Sequence, residues 1–165
     1  MPQKTKERIH VTYTKKELKN YLKDLLKEKT ELSSFSFEYQ SGHLEFHSRL
    51  RIIVSSDKII QWKIPPKTPV VLEEEEKEAK IREIEVTKEK LLVFLESIIK
   101  RKIWDLENCY LHSISDSPLL LFKIRNKDQL VFEEEVWENC RNDSTRVKEL
   151  IKSLGAILPL EWPPP

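Results

Sequence analysis

The chain is nearly devoid of glycine. Its 165 residues include two, Gly42 and Gly155, together with one methionine and two cysteines. A loop that closes backbone N–H groups on a phosphate needs several glycines in a short stretch, because only glycine brings the backbone that near. Two widely separated glycines exclude the P-loop and the dinucleotide fingerprint. Cys109 and Cys140 make no CxxC pair, which removes the usual thiolate zinc sites. No nucleophile elbow or zinc-protease helix motif is present either. No apolar run approaches the ~18–20 residues that a membrane span needs. Residues 1–6 are not followed by an apolar stretch, so no secretory signal is expected. On that basis the two cysteines are expected as reduced, partly buried thiols. The expected setting is intracellular, cytoplasmic or, in a eukaryote, nuclear.

What the chain does have is a folded pattern. Hydrophobic residues make up 39% and charged residues 35%, but the apolar ones are concentrated in Leu, Ile, Val, Phe and Trp at regular spacings, which disordered chains lack. The net charge of +1 hides an asymmetry. Residues 1–72 carry 14 Lys and Arg against 8 Asp and Glu, and residues 73–165 carry 15 against 20. Such a chain can meet an anionic partner with one half, or dock its halves on each other.

The organising feature is an internal repeat. Thr14 opens one helical pattern and Thr87 another. Counted from each threonine, apolar residues fall at the same five offsets: Leu18, Tyr21, Leu22, Leu25 and Leu26, then Leu91, Phe94, Leu95, Ile98 and Ile99. That is the stripe of an amphipathic helix. Thr14 with Glu17 forms a capping box, whereas Thr87 has Lys90 in the equivalent place. Val11 and Tyr13 before one cap, and Ile84 and Val86 before the other, alternate like short strands.

After the first helix, Phe35, Phe37 and Tyr39 alternate with polar residues, and Ser41-Gly42 signals a hairpin. Leu44, Phe46, Leu50, Ile52 and Val54 share one face of the next strand. A turn over Ser56, Asp57 and Lys58 then places Val54 opposite Ile60 and Ile52 opposite Trp62, so Ile60, Trp62 and Ile64 are expected in the core. In the second half, residues 109–114, 119–125 and 129–137 are strand candidates, with a turn over Asn126, Lys127 and Asp128. A last helix is capped by Asp143 or Ser144, carries Val147, Leu150, Ile151 and Leu154 on its stripe, and ends at Gly155.

The expected fold is therefore α+β: two tandem strand–helix–three-strand repeats, an antiparallel sheet covered by helices, and a C-terminal helix. Residues 1–64 form the first half and 65–80 a Pro- and Glu-rich connector. Residues 81–137 form the second half, and 138–165 the last helix with a Pro-rich tail. The halves are expected to share one domain.

Three constellations could carry function. Lys15, Lys19, Lys23 and Lys27 recur every four residues, so their charges line one edge of the first helix over ~18 Å, about 6 Å apart. That is a ridge for a phosphate backbone or an acidic protein, or else a solvated face. Trp137 and Trp162 are hard to bury by pattern and are candidate contact residues, since tryptophan is enriched at interfaces. His43, Glu45 and His47 would project from one face of a strand as an incomplete metal site, although two-residue spacing suits a tetrahedral ion poorly. No cofactor and no catalytic residue is indicated. The leading expectation is a non-enzymatic interaction protein, namely an adaptor, assembly factor or dedicated chaperone, bound to another protein or to a second copy of itself. The alternative is a nucleic-acid-associated protein using the lysine ridge, and a more distant one is a metal-dependent enzyme.

Overall fold

Thr14 begins the first helix as the spacing demands. Its hydroxyl accepts the Glu17 N–H at 3.1 Å, and the Glu17 carboxylate accepts the Thr14 N–H at 2.8 Å, so two of the donors that a helix start leaves orphaned are satisfied. The resulting helix α1 (Lys15–Leu26) buries Leu18, Tyr21, Leu22 and Leu25. Helix α2 (Lys88–Lys100) starts on Thr87, whose hydroxyl accepts the Lys90 N–H at 3.2 Å, and buries Leu91, Phe94, Leu95 and Ile98. Both helices close on a non-glycine residue in the left-handed region, Glu28 at φ 59° and Lys102 at φ 53°. After α1 the Glu28 N–H reaches Leu25 and the Lys29 N–H reaches Asp24, the paired bonds that satisfy the last carbonyls of a helix.

The computed structural model describes residues 13–41, 49–64, 79–107, 119–138, 140 and 144–158. Strands β1 (Phe35–Ser41), β2 (Arg49–Ser55), β3 (Lys58–Ile64), β4 (Ala79–Glu85), β5 (Leu119–Asn126) and β6 (Gln129–Trp137) form one six-stranded sheet in the order β4-β3-β2-β1-β5-β6. Every neighbouring pair is antiparallel. Helix α3 (Thr145–Ile157) closes the described chain. The protein is thus α+β, with α1, α2 and α3 on one face of the sheet. No helix among the described residues is long and apolar enough to cross a membrane.

The core forms between that face and the helices. Phe35, Phe37 and Tyr39 of β1 project there with Ile52 and Val54 of β2 and Leu120, Phe122 and Ile124 of β5, all nearly inaccessible. Phe37 meets Phe94 of α2 edge-on at 5.1 Å, and Tyr39 lies 5.2 Å from Phe122. Each such burial is worth roughly 1.5–3 kcal/mol. Residues from Leu18 to Leu158 belong to this single cluster. β1, β5 and β6 fall where the sequence pattern places them, and Leu50, Ile52 and Val54 share the core-side face of β2. Val11, Gly42, Leu44, Phe46 and residues 109–114 lie outside the described residues.

Three expectations need correction. The β2–β3 turn holds two residues, Ser56 and Asp57, so Val54 pairs with Ile59 and Ile52 with Gln61. That one-residue slip turns Ile60 and Trp62 to the opposite face. Secondly, Gly155 does not end the last helix. Ser144 caps α3 through the Val147 N–H at 3.3 Å, and the helix continues to Ile157 because Ile157 and Leu158 are buried, at 3% and 5% exposure. That contact offsets the ~0.5–1 kcal/mol that glycine costs inside a helix. Thirdly, Cys140 is not a reduced thiol: it is disulfide-bonded and inaccessible within the core. Cys109, the other cysteine of that expectation, lies outside the described residues.

Candidate interaction surfaces

The first surface is the lysine row. Lys15, Lys19, Lys23 and Lys27 are all exposed along α1 and its C-cap, as helical spacing requires. Tertiary structure divides them. A 3-10 turn after α2, Ile103–Asp105, packs beside α1. From it Asp105 meets the Lys15 ammonium at 3.3 Å, and Trp104 places its ring 5.8 Å from that of Lys19. Glu134 of β6 lies near the same end of α1. Burial pushes its carboxyl above the usual range, and Glu107, Glu135 and Glu133 push it further, while Lys15 opposes them. The N-terminal half of the row therefore faces acidic and aromatic groups of its own fold. For Lys23 and Lys27 no ion pair is found among the described residues. At the far end Glu28 pairs with Lys88, which raises the lysine's pKa.

The other sequence candidates do not join this row. Trp137 is partly buried against the core at the end of β6, opposite Leu119. Trp162, His43, Glu45 and His47 lie outside the described residues. Among the described residues no group of three His, Cys, Asp or Glu is placed to hold a metal ion.

The second surface is the sheet face away from the helices, and sequence reasoning missed most of it. Cross-strand pairing sets Ile60 beside Ile53 and Trp62 beside Arg51. All four are half-buried, and none belongs to the core cluster. The Arg51 guanidinium lies 5.6 Å from the Trp62 ring, near enough for a cation–π contact. The pairing continues from Ile53 to Glu38 of β1 and from Glu38 to Lys123 of β5. Glu38, 5% exposed, accepts from Gln40 Nε2 at 2.6 Å and from Arg125 at 3.2 Å. Lys123 lies 4.0 Å from Glu133. At the other margin Lys58 and Lys80 flank Glu83 at 3.7 and 2.9 Å. The Lys80 hydrogen bond, with both ammonium charges, holds that carboxyl below its usual range. Beside Trp62 a bulge in β4 leaves Ile81 52% exposed.

This face thus combines an apolar centre at Ile53, Ile60 and Trp62 with ion pairs already matched within the sheet. Among the described residues this face carries no paired nucleophile and base. The cue that could have found it is the doubled Ile59-Ile60: either isoleucine can face the core, and the length of the preceding turn decides which. No protein-family model and no curated protein matches this sequence.

Proposed function

We propose that the protein is a non-enzymatic interaction module, acting as an adaptor, assembly factor or dedicated chaperone, that binds another protein through the sheet face away from its helices. The observation that carries this reading is the gathering of Ile53, Ile60, Trp62 and Arg51 on that face, outside the core. Tryptophan and arginine beside aliphatic side chains are the residues that most often anchor protein contacts. Because Glu38, Glu83 and Glu133 already answer the neighbouring cations, the complementary surface is an uncharged, apolar segment of the partner. A charged partner would have to break those pairs.

The alternative is nucleic acid on the lysine row. Trp104 beneath Lys19 favours it, since an aromatic next to a cation can stack a base. Asp105, Glu107 and Glu134 around Lys15 oppose it. We also propose that the two threonine-capped helices arose by duplication of a strand–helix–three-strand unit. The matched burial of their five apolar offsets supports that origin.

Fluorescence anisotropy separates the two binding modes. The probes are a labelled, uncharged peptide of alternating leucine and serine and a single-stranded oligonucleotide. Peptide binding that is lost in Ile60→Asp, with its thermal midpoint retained, supports the sheet face. Oligonucleotide binding that falls steeply with salt and disappears in Lys19→Glu/Lys23→Glu replaces it with the lysine row.

A further inference from the structure

We infer that the disulfide at Cys140 is a structural clip on the last helix, and that the chain acquires it where thiols are oxidised. Cys140 is bonded and has 0% exposure, inside the same cluster as Val136, Val147 and Leu150. The sequence contains one other cysteine, Cys109, so an intrachain bond has no other partner. Four residues after Cys140, the Ser144 N–H donates to the Cys140 carbonyl at 2.8 Å, and the Ser144 hydroxyl caps α3.

What the clip secures is an interface built partly from polar groups. Against α2, helix α3 sets Ser153 on Ser97, Glu149 on Arg101 at 3.0 Å, and the Arg146 guanidinium on the Arg101 carbonyl at 2.8 Å. Contacts of this kind add little once water reaches them. A covalent tie at the start of the helix keeps its apolar stripe seated and the polar contacts closed. The tie acts mainly by restricting the unfolded chain, to a degree that grows with the enclosed loop.

The chemistry requires an oxidant. Two thiols lose two electrons and two protons to a disulfide-bearing partner, either an oxidoreductase or an oxidised small thiol. One cysteine thiolate attacks the partner's disulfide, forming a mixed disulfide and freeing one partner sulfur as a thiol. The second cysteine then attacks the mixed disulfide and frees the other partner sulfur, so the partner leaves as a dithiol or as two small thiols. Reversal needs a reductant's thiolate at either sulfur. Burial closes the Cys140 sulfur in the folded state, and attack at the other sulfur would expel Cys140 as a thiolate into an inaccessible apolar site, which desolvation disfavours. The bond should therefore resist reduction until the chain unfolds. Such a bond stands against the reduced, intracellular setting expected from the N-terminal sequence.

The test begins with protein isolated from its native source in the presence of N-ethylmaleimide, then denatured without reductant. We expect no maleimide addition and a monomer mass short by two hydrogens. The native protein should resist dithiothreitol and become reducible in urea. Protein refolded after reduction should melt at least about 5 °C lower and exchange amide hydrogens faster over residues 144–158. Alkylation of both cysteines in the freshly isolated protein overturns the inference, as does an unchanged midpoint after reduction. A disulfide-linked dimer overturns the intrachain clip. The trapping arm needs no variant, so the test stands even if Cys140→Ser fails to fold.

Discussion

Ile59 and Ile60 are chemically identical neighbours, and truncating each to alanine tests the sheet register directly. Ile59 is fully buried in the core and pairs with Val54. Removing its side chain beyond Cβ leaves a cavity under the helices, at a cost of roughly 2–5 kcal/mol. Ile60 is half-buried on the opposite face, where solvent or neighbouring side chains fill the space. There the loss is limited to part of the transfer free energy, about 1 kcal/mol. With a urea m-value of about 2 kcal/mol/M, Ile59→Ala should lower the unfolding midpoint by about 1–2.5 M and Ile60→Ala by about 0.5 M. The assay is equilibrium unfolding followed by circular dichroism, read only where the two variants keep the wild-type m-value. Equal shifts, or a larger one for Ile60→Ala, would mean that Ile60 and Trp62 face the helices. The proposed binding face would then fall together with the register.

Other perturbations address separate links. Lys102 ends α2 at φ 53° and ψ 61° with its side chain exposed. Lys102→Gly should therefore stabilise the protein by about 0.5–1 kcal/mol, after the glycine's greater unfolded entropy is deducted, visible as a rise of about 1–4 °C in thermal midpoint. Leu25→Ala and Ile98→Ala, at matching offsets of α1 and α2 and both inaccessible, should each cost roughly 2–5 kcal/mol. A pair of unchanged midpoints would place the apolar stripes elsewhere. Glu134 has its folded pKa raised, first by burial and then by Glu107. The folded state therefore binds its proton more tightly than the unfolded chain does. The wild type should match Glu134→Gln below the ordinary carboxylate range, then lose stability relative to it as pH rises through the raised folded pKa. A midpoint difference that is flat from pH 4 to pH 7 contradicts that environment.

The helices could be read from sequence because their determinants lie within one turn: the Thr14 and Thr87 caps and the 3.6-residue stripe are local. β1 could be read for a similar reason, since Phe35, Phe37 and Tyr39 alternate without ambiguity. The β2–β3 register could not. Ile59-Gln61 and Ile60-Trp62 are competing faces, and pattern alone favours the more apolar one. The structure takes the other and admits Gln61 to the helix side, where its side-chain oxygen accepts from Arg82 Nε at 2.7 Å. A buried polar group is tolerable once bonded, and that partner comes from β4, a strand the connector separates from β3. Gly155 misled for a related reason, since the burial of Ile157 outweighs its local preference to stop a helix.

The candidate surfaces divide along the same line. Periodicity finds the lysine row completely, but it cannot see that Asp105 and Trp104, from a turn more than eighty residues away, meet Lys15 and Lys19. Like charges four residues apart cost a few tenths of a kcal/mol per pair, and a carboxylate at 3.3 Å from Lys15 offsets part of that locally. Half of the row's apparent anion-binding character is thereby answered within the fold. Lys23 and Lys27 remain, about 6 Å apart along the axis, enough for one or two phosphate contacts and a correspondingly shallow salt slope. The sheet face has the converse history. Sequence assigns Ile60 and Trp62 to the core, and only the two-residue turn at Ser56 and Asp57 brings them out beside Ile53 and Arg51. A surface assembled from residues that resemble core is the kind that periodicity hides, because periodicity locates apolar positions and leaves open which of two layers they serve.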